Sequence, residues 1–452
     1  MTDAPSHLFY QARAPRPFLS HGEGIYLYDE SGKRYIDGSS GAMVSNIGHS
    51  NPRVLAKMKD QMDRATFGYR LHFRTHPSED LAAKLAGLMP GDLDRIFFVS
   101  GGSEAVETAE KLARQYAVTQ GQGSRWKVIS RTPAYHGGTL GALALTGGKL
   151  FAGPFAEMFQ EMPHVRAPQT YLDRDNLTEE ERGLKYADEL RERIEAEGPD
   201  SVLAFIMEPV GGASTGALVA PDSYYTRIRE ICDDYGVLLI YDEVMSGAGR
   251  TGTFLACEHW GVTPDIVAMS KGLGAGYAPL GAVAARSHMV EALLDAGGFL
   301  HGFTYAGNPL SCAAGLAVLE EMEEQDILGN CTRMGAVLMD RLQGLMARYP
   351  FIGHVRGKGL LTAFEMVSDR ETMAPLPKEL NAHSELVELA YDAGLIIYSR
   401  RTRGGVEGDH FLICPPLIVT EAQIDEIMQI LTGALDTFAS RHGLDVSGEV
   451  SA

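Results

Sequence analysis

The chain is poor in cysteine, in positive charge and in long apolar runs. Only five of its 452 residues are cysteines (Cys232, Cys257, Cys312, Cys331 and Cys414), the number is odd, and none form a C-x-x-C pair. Such usage argues against a disulfide framework and a thiolate zinc site, and for a reduced, intracellular protein. The 14 histidines suggest structural roles, and no metal site is expected. No segment approaches 18 consecutive apolar residues, so no membrane-spanning helix is expected. The N-terminal stretch "MTDAPSHLFYQARAPRPF" lacks the apolar core of a secretory signal. Lys and Arg number 40 against 59 Asp and Glu, a formal net charge of −19. An acidic surface favours solubility and disfavours nucleic acid and anionic membranes as partners. A cytoplasmic protein that binds neither is the expectation.

What is present is an ordinary globular composition, 45% hydrophobic and 22% charged, in a chain long enough for two domains. The first 15 and last six residues read as loose ends. Short apolar runs alternate with helical stretches from about residue 60 to 315. "RIFFVS" (95–100), "KVISR", "VLAFIME", "GVLLIYD", "DIVAMS" and "GAVAAR" read as strands. Their continuous apolar character suggests strands covered on both faces, hence a largely parallel α/β sheet. After "RIFFVS", Ala105, Ala109, Leu112 and Tyr116 recur at helical spacing. The last third changes character. Residues 330–350 form an amphipathic helix, 354–367 a strand pair or bent strand, and 419–442 a long helix with Thr420 as N-cap. A smaller α+β domain is therefore expected over 321–452, beside a large domain over 61–320. Residues 1–60, with a hairpin signal around Ser31-Gly32, are expected to pack with the smaller one.

Residues 241–252, "YDEVMSGAGRTG", carry G-x-G-x-x-G spacing directly after an apolar run. A dinucleotide fingerprint belongs in the first βα turn, opens a helix and is followed by an acid about 20 residues on. Here several strands come first, only a short helix follows, and Asp265 comes too soon. The glycines are better read as a tight turn.

In open α/β sheets ligands sit at the carboxyl ends of the strands. There the sequence places "SGGSEA" (100–105), "RTPAYHGG", Glu208-Pro209, Asp242-Glu243 and Ser270-Lys271-Gly272. A glycine turn entering a helix, with a serine hydroxyl, suits an anion. Asp242 ends an apolar strand, where a buried carboxylate is costly without a cation. A lysine at the mouth of a sheet can have its pKa lowered and act as an amine nucleophile. Each feature alone has a commonplace reading: a capped turn, a structural salt bridge, a surface lysine. Together with the aromatic Tyr135 they match what pyridoxal 5′-phosphate needs: a lysine for the Schiff base, an acid for the pyridinium nitrogen and donors for the phosphate.

At this point the chain resembles the class III aminotransferases of fold type I, nearest the ω-amine and ω-amino acid transaminase group. The resemblance runs from "GKRYIDGSSGAMVSNIGHSNPRV" to "HFLICPPLIVTEAQIDEI". It includes "FFVSGGSEAVETAEKLAR", "AYHGGTLGAL", "MEPVGG", "LLIYDEVMSGAGRTG", "PDIVAMSKGLGAGYAPLGAV" and "HGFTYAGNPLSCAA" in register. It implies a large domain with a mostly parallel seven-stranded sheet, a smaller α+β domain, and pyridoxal 5′-phosphate as cofactor. It also implies a homodimer, or dimer of dimers, with the active site at the subunit interface. By position, Lys271 would hold the cofactor and shuttle the proton. Asp242 would pair with the ring nitrogen, Tyr135 and Val244 would flank the ring, and Gly102 and Ser103 would bind the phosphate. Thr304 would reach the phosphate of the neighbouring subunit, and Glu208 would lie on the 3′-oxygen side. The implied reaction moves an amino group, by a ping-pong scheme, from a primary amine, ω-amino acid or diamine to pyruvate or 2-oxoglutarate. Mutases, racemases and decarboxylases share these motifs and are the alternative.

The chain also departs from parts of the family. Ornithine-, acetylornithine- and 4-aminobutyrate-type members carry an Arg in an "RFAPPL" stretch; here the stretch is "LICPPL", with Leu412 at that position. The Glu that ornithine-type members place five residues after the "EP" Glu is Ala213 here. In "SRRTRGGVEGDH" (399–410), Arg400, Arg401 and Arg403 are candidates for gripping a substrate carboxylate. Met43, Phe67 and Tyr69 are candidates for lining the substrate pocket, with plain packing the alternative for Met43.

Overall fold

The computed structural model describes residues 7–10, 16–148, 153–403 and 405–446. Of the expected loose ends, 1–15 and 447–452, only residues 7–10 are among the described residues. The chain opens with a meander of β1 (Leu19–Glu23), β2 (Tyr26–Asp29) and β3 (Arg34–Asp37). The turn between β2 and β3 is held by the Asp29 carboxylate, which accepts from the backbone N–H groups of Ser31 and Lys33.

A seven-stranded sheet follows: β4 (Arg95–Val99), β5 (Lys127–Thr132), β6 (His164–Arg166), β7 (Val202–Met207), β8 (Leu238–Asp242), β9 (Ile266–Met269) and β10 (Gly281–Ala285). Their order is β4-β10-β9-β8-β7-β5-β6. Only β10 runs against its neighbours; β9, β8, β7, β5 and β6 pair in parallel. Every residue of β7, β9 and β10 is buried, which is why these strands read as continuous apolar runs. Helix Gly102–Thr119 packs on the sheet through Ala105, Val106, Ala109, Leu112 and Ala113. Because β10 alone is reversed, the carboxyl ends of β4, β5, β7, β8 and β9 open on one edge.

The C-terminal sheet contains β11 (Ile352–Lys358), β12 (Leu361–Asp369), the short β13 (Ala374–Pro375), β15 (Tyr398–Arg403) and β16 (Glu407–Ile413). Residues 354–367 are thus a strand pair. The intervening β14 (Leu395–Ile396) leaves this sheet to pair in parallel with β3, which ties the N-terminal meander to the C-terminal part. Helix Ile327–Arg348 packs on it, and helix Glu421–His442 packs in turn on that helix. The second begins at Thr420, whose hydroxyl accepts from Gln423 N–H in a capping box, as the sequence suggests.

The glycines of "GAGRTG" shape a turn. Gly249 (φ 89°) and Gly252 (φ 96°) lie in the left-handed region, and a Cβ at either would sit under 3 Å from Met322 or Thr332. Between them, Arg250 is fully buried. It donates to the carbonyls of Leu360 and Pro415, to Ser40 Oγ and to Asn46 Oδ1. One guanidinium thereby joins the N-terminal, central and C-terminal parts behind Lys271. All five cysteines are buried and free. Among the described residues no helix is long and apolar enough to cross a membrane, and no group of three His, Cys, Asp or Glu could hold a metal ion.

Candidate active site

The strand ends meet around a cavity of about 360 Å³, within the size range of small-molecule sites. Lys271, Asp242, Glu208, Tyr135, Val244, Gly102, Ser103, Met43, Arg400 and Arg401 all line it, drawn from seven separate stretches of chain.

Lys271 follows β9 with φ 43°, in the left-handed region that side-chain-bearing residues rarely adopt. Ser270 Oγ donates to the Leu280 carbonyl at 2.8 Å and fixes the approach. Gly272 is obligatory, since a Cβ there would lie 2.1 Å from Asn46 Nδ2. Burial pulls the Lys271 ammonium below its ordinary range, opposed by the nearby Asp242 and Glu208. The amine is thereby shifted toward the neutral, nucleophilic form.

Asp242 ends β8 and is 4% exposed. Its Oδ1 accepts from Val244 N–H at 3.0 Å and its Oδ2 lies 2.8 Å from His136 Nδ1. His136 is 3% exposed, and its backbone N–H donates to Thr146 Oγ1 at 3.0 Å. Among the described residues its Nε2 is buried with no hydrogen-bond partner. With Asp242 ionised, Nδ1 donates to it, and the ring holds the carboxylate in place. Sequence reasoning missed His136; its only signal was a position next to Tyr135.

Helix Gly102–Thr119 presents its N-terminus to the cavity. Its N-cap is Gly101, so no side chain caps the first turn. Gly102 leaves that turn open: a Cβ would meet Val244 Cγ1 at 2.8 Å. Ser103 Oγ accepts from Gly138 N–H at 3.0 Å, bringing the 135–138 loop against the helix. Uncapped N–H groups at the positive end of an 18-residue helix are a site for an anion. Glu208 is 5% exposed; Oε1 accepts from Gly212 N–H at 2.9 Å, and Oε2 is buried 3.9 Å from Arg131 Nη2 with no hydrogen-bond partner among the described residues. Burial raises its pKa, opposed by His136 and Arg131.

The three arginines separate. Arg400 donates to the Ser399 carbonyl at 3.2 Å, lies 4.6 Å over the Tyr398 ring, and forms no ion pair among the described residues. Arg401 sits 3.7 Å from Asp409. Arg403 donates to the Met373 carbonyl and is not among the cavity-lining residues, so the structure does not place it at the site. Met43 is 2% exposed with φ 57° and packs against Leu412, Ala213 and Met245. Leu412 is itself fully buried.

Phe67, Tyr69 and Thr304 are not brought to the cavity of this chain. Phe67, 45% exposed, meets the Tyr305 ring edge-on at 5.7 Å, and Tyr69 meets His72. Thr304 is exposed in the neighbouring strip, where Arg70 donates to the His301 carbonyl and Asn308 to that of Thr66. Phe67, Leu71, Phe73, Leu300 and Tyr305 expose large apolar side chains on these two segments.

Comparison with known proteins identifies the family. A family model described as "Aminotransferase class-III" matches residues 10–435. The aminotransferase YodT of Bacillus subtilis is 40% identical over 420 residues, 92% of this chain and 94% of its own length. A taurine–pyruvate aminotransferase of Bilophila wadsworthia is 37% identical over 435 residues, 94% and 93% of the two chains. Among solved structures, a thermostable (S)-enantioselective ω-transaminase from Thermomicrobium roseum superposes with a TM-score of 0.90. It is 37% identical and covers 96% of each chain.

Proposed function

The chain belongs to the class III aminotransferases, a family dependent on pyridoxal 5′-phosphate, and from that premise we propose that it binds this cofactor in the strand-end cavity. The proposed reaction moves an amino group from a primary amine, ω-amino acid or diamine to pyruvate or 2-oxoglutarate. The observation that carries the reading is Lys271 and Asp242 lining one cavity, with an uncapped helix N-terminus beside them.

The residues present fit the group. The buried Glu208 Oε2, which accepts no hydrogen bond among the described residues, can face a polar ring substituent, and the open turn at Gly102 and Ser103 can take a phosphate. Bound there, the cofactor supplies an electron sink for the carbon that loses its proton. Lys271, its pKa lowered, is the amine that holds the cofactor and then accepts and returns the substrate proton. Asp242, fixed by His136, is the carboxylate that faces the ring nitrogen. Tyr135 and Val244 are the walls on either side. Arg400, free of acidic partners among the described residues, is the guanidinium that would hold the acceptor's carboxylate.

The exposed apolar strip that carries Phe67, Tyr69 and Thr304 supports a homodimer in which these residues act at the neighbouring subunit's site. The division into a large part over 61–320 and a smaller part over 321–452 joined by residues 1–60 is supported by the β3–β14 ladder. The test is a half-reaction screen. Amines are mixed one at a time with cofactor-loaded protein, and loss of its visible band is followed. Amines with a primary ω-nitrogen should bleach the band and keto acid should restore it. Turnover with no keto acid would favour a mutase, racemase or decarboxylase instead.

A further inference from the structure

A buried polar cluster stands between the C-terminal sheet and the cavity wall, and the reaction residues do not include it. Glu365 of β12 is fully buried. Its Oε2 accepts from Arg356 Nη1 at 2.9 Å and from Tyr171 OH at 2.8 Å, and its Oε1 accepts from Thr402 Oγ1 at 3.1 Å. Arg356 of β11 is 6% exposed, lies 4.4 Å over the Tyr171 ring and donates through Nη2 to the Thr215 carbonyl at 3.0 Å. His410 of β16 donates through Nε2 to the Ala213 carbonyl at 2.8 Å.

Two features aim this cluster at the active site. The first is register. Glu365 pairs with His410, and His410 pairs with Arg400, so the three form one rung across β12, β16 and β15. Cross-strand neighbours share a face of the sheet, and Thr402, two residues past Arg400, shares it as well. The second is the wall. Ala213 and Ser214 line the cavity, and the carbonyls on either side of Ser214 are the ones that His410 and Arg356 hold. Close approach is built in by two glycines with positive φ. A Cβ at Gly216 would lie 2.8 Å from both Arg356 Nη2 and His410 Cδ2, and one at Gly408 would lie 2.3 Å from Thr402 Oγ1. An apolar cluster would stabilise such an interior at least as well as a buried ion pair. What the ionic cluster adds is directional bonds to the strand of Arg400 and to the facing wall.

We propose that Arg356, Glu365, Thr402 and His410 are positioning residues. They set the strand carrying Arg400 against the Ala213–Thr215 wall and so fix the acceptor carboxylate subsite. The inference rests on the reading of Arg400 as the carboxylate-binding group.

The test compares Thr402→Val, Glu365→Gln, Arg400→Leu and the double variant Arg400→Leu/Thr402→Val as holoenzymes. The readouts are kcat and KM for pyruvate, and the rate with a primary amine that has no carboxylate. Thr402→Val removes one hydroxyl at constant volume and keeps the fold. It should raise KM for pyruvate roughly three- to tenfold, a fraction of what one hydrogen bond to a charged group contributes because the hydroxyl acts on the substrate only through the strand of Arg400, with kcat and the amine rate within about twofold. Glu365→Gln, where folded, should exceed that. Once Arg400 is gone, Thr402→Val should add nothing further. If Arg400→Leu raises KM but Thr402→Val does not, or if the two effects multiply, the positioning role is overturned. An amine rate that falls with the acceptor rate also overturns it, because a general loss of structure explains both. If Arg400→Leu itself leaves KM unchanged, the reading of Arg400 fails, and that outcome is recognisable separately.

Discussion

His136→Leu isolates the support of Asp242. The Asp242 carboxylate accepts two hydrogen bonds among the described residues, one from Val244 N–H and one from His136 Nδ1 at 2.8 Å. Both Asp242 and His136 are almost wholly buried, so water cannot replace the lost donor. A hydrogen bond to a charged group contributes about 1.5–3 kcal/mol, and Asp242 binds a cationic ring only while ionised. At ~1.4 kcal/mol per factor of ten, the dissociation constant for pyridoxal 5′-phosphate should rise roughly ten- to a hundredfold. Turnover at saturating cofactor should fall in the same direction. The assay is titration of cofactor-free protein with pyridoxal 5′-phosphate followed by visible absorbance, with circular dichroism to confirm the fold. A dissociation constant within about twofold of the parent in a folded variant would refute the role given to His136.

Three other outcomes follow from the same geometry. Lys271→Ala should lose essentially all turnover while melting as a folded protein, since among the described residues Lys271 is the only lysine lining the cavity; measurable transamination would count against it. Gly102→Ala should weaken cofactor binding because its Cβ would press on Val244 at 2.8 Å; overpacking of this kind costs about 1–3 kcal/mol, seen in a cofactor titration. Glu243 is fully enclosed, and burial pushes its carboxyl up to about 7 from the ordinary 4.5. A raised carboxyl pKa means stability that is present below about pH 4.5 and lost as pH rises through about 7, on the order of 3 kcal/mol. Thermal melts of Glu243→Gln should therefore gain on the parent between about pH 5 and about pH 8, and a parallel pH dependence would contradict the assignment.

The strand-end chemistry was legible because βα units are local. Ser103, Glu208, Asp242 and Lys271 each follow an apolar run within a residue or a few, and the fold carries them to one edge. The turn reading of "GAGRTG" was legible for the same reason. What stayed hidden depends on partners far apart in sequence. His136 meets Asp242 across 106 residues, and Arg250 binds acceptors 110 to 210 residues away. The Arg356–Glu365 pair looks like any two charges in a strand pair until Tyr171 and the 213–216 loop close over it. Arg403 shows the converse: three arginines in one basic loop read alike, but a carbonyl outside the cavity holds this one. Phe67, Tyr69 and Thr304 read as site residues, and a single chain leaves them on an exposed strip.

The most direct test of the account is chemical. Protein loaded with pyridoxal 5′-phosphate is reduced with borohydride, digested and mapped by mass spectrometry. The account predicts one phosphopyridoxyl group per chain, on Lys271. Label on another lysine, or a chain that takes up no cofactor, would contradict it.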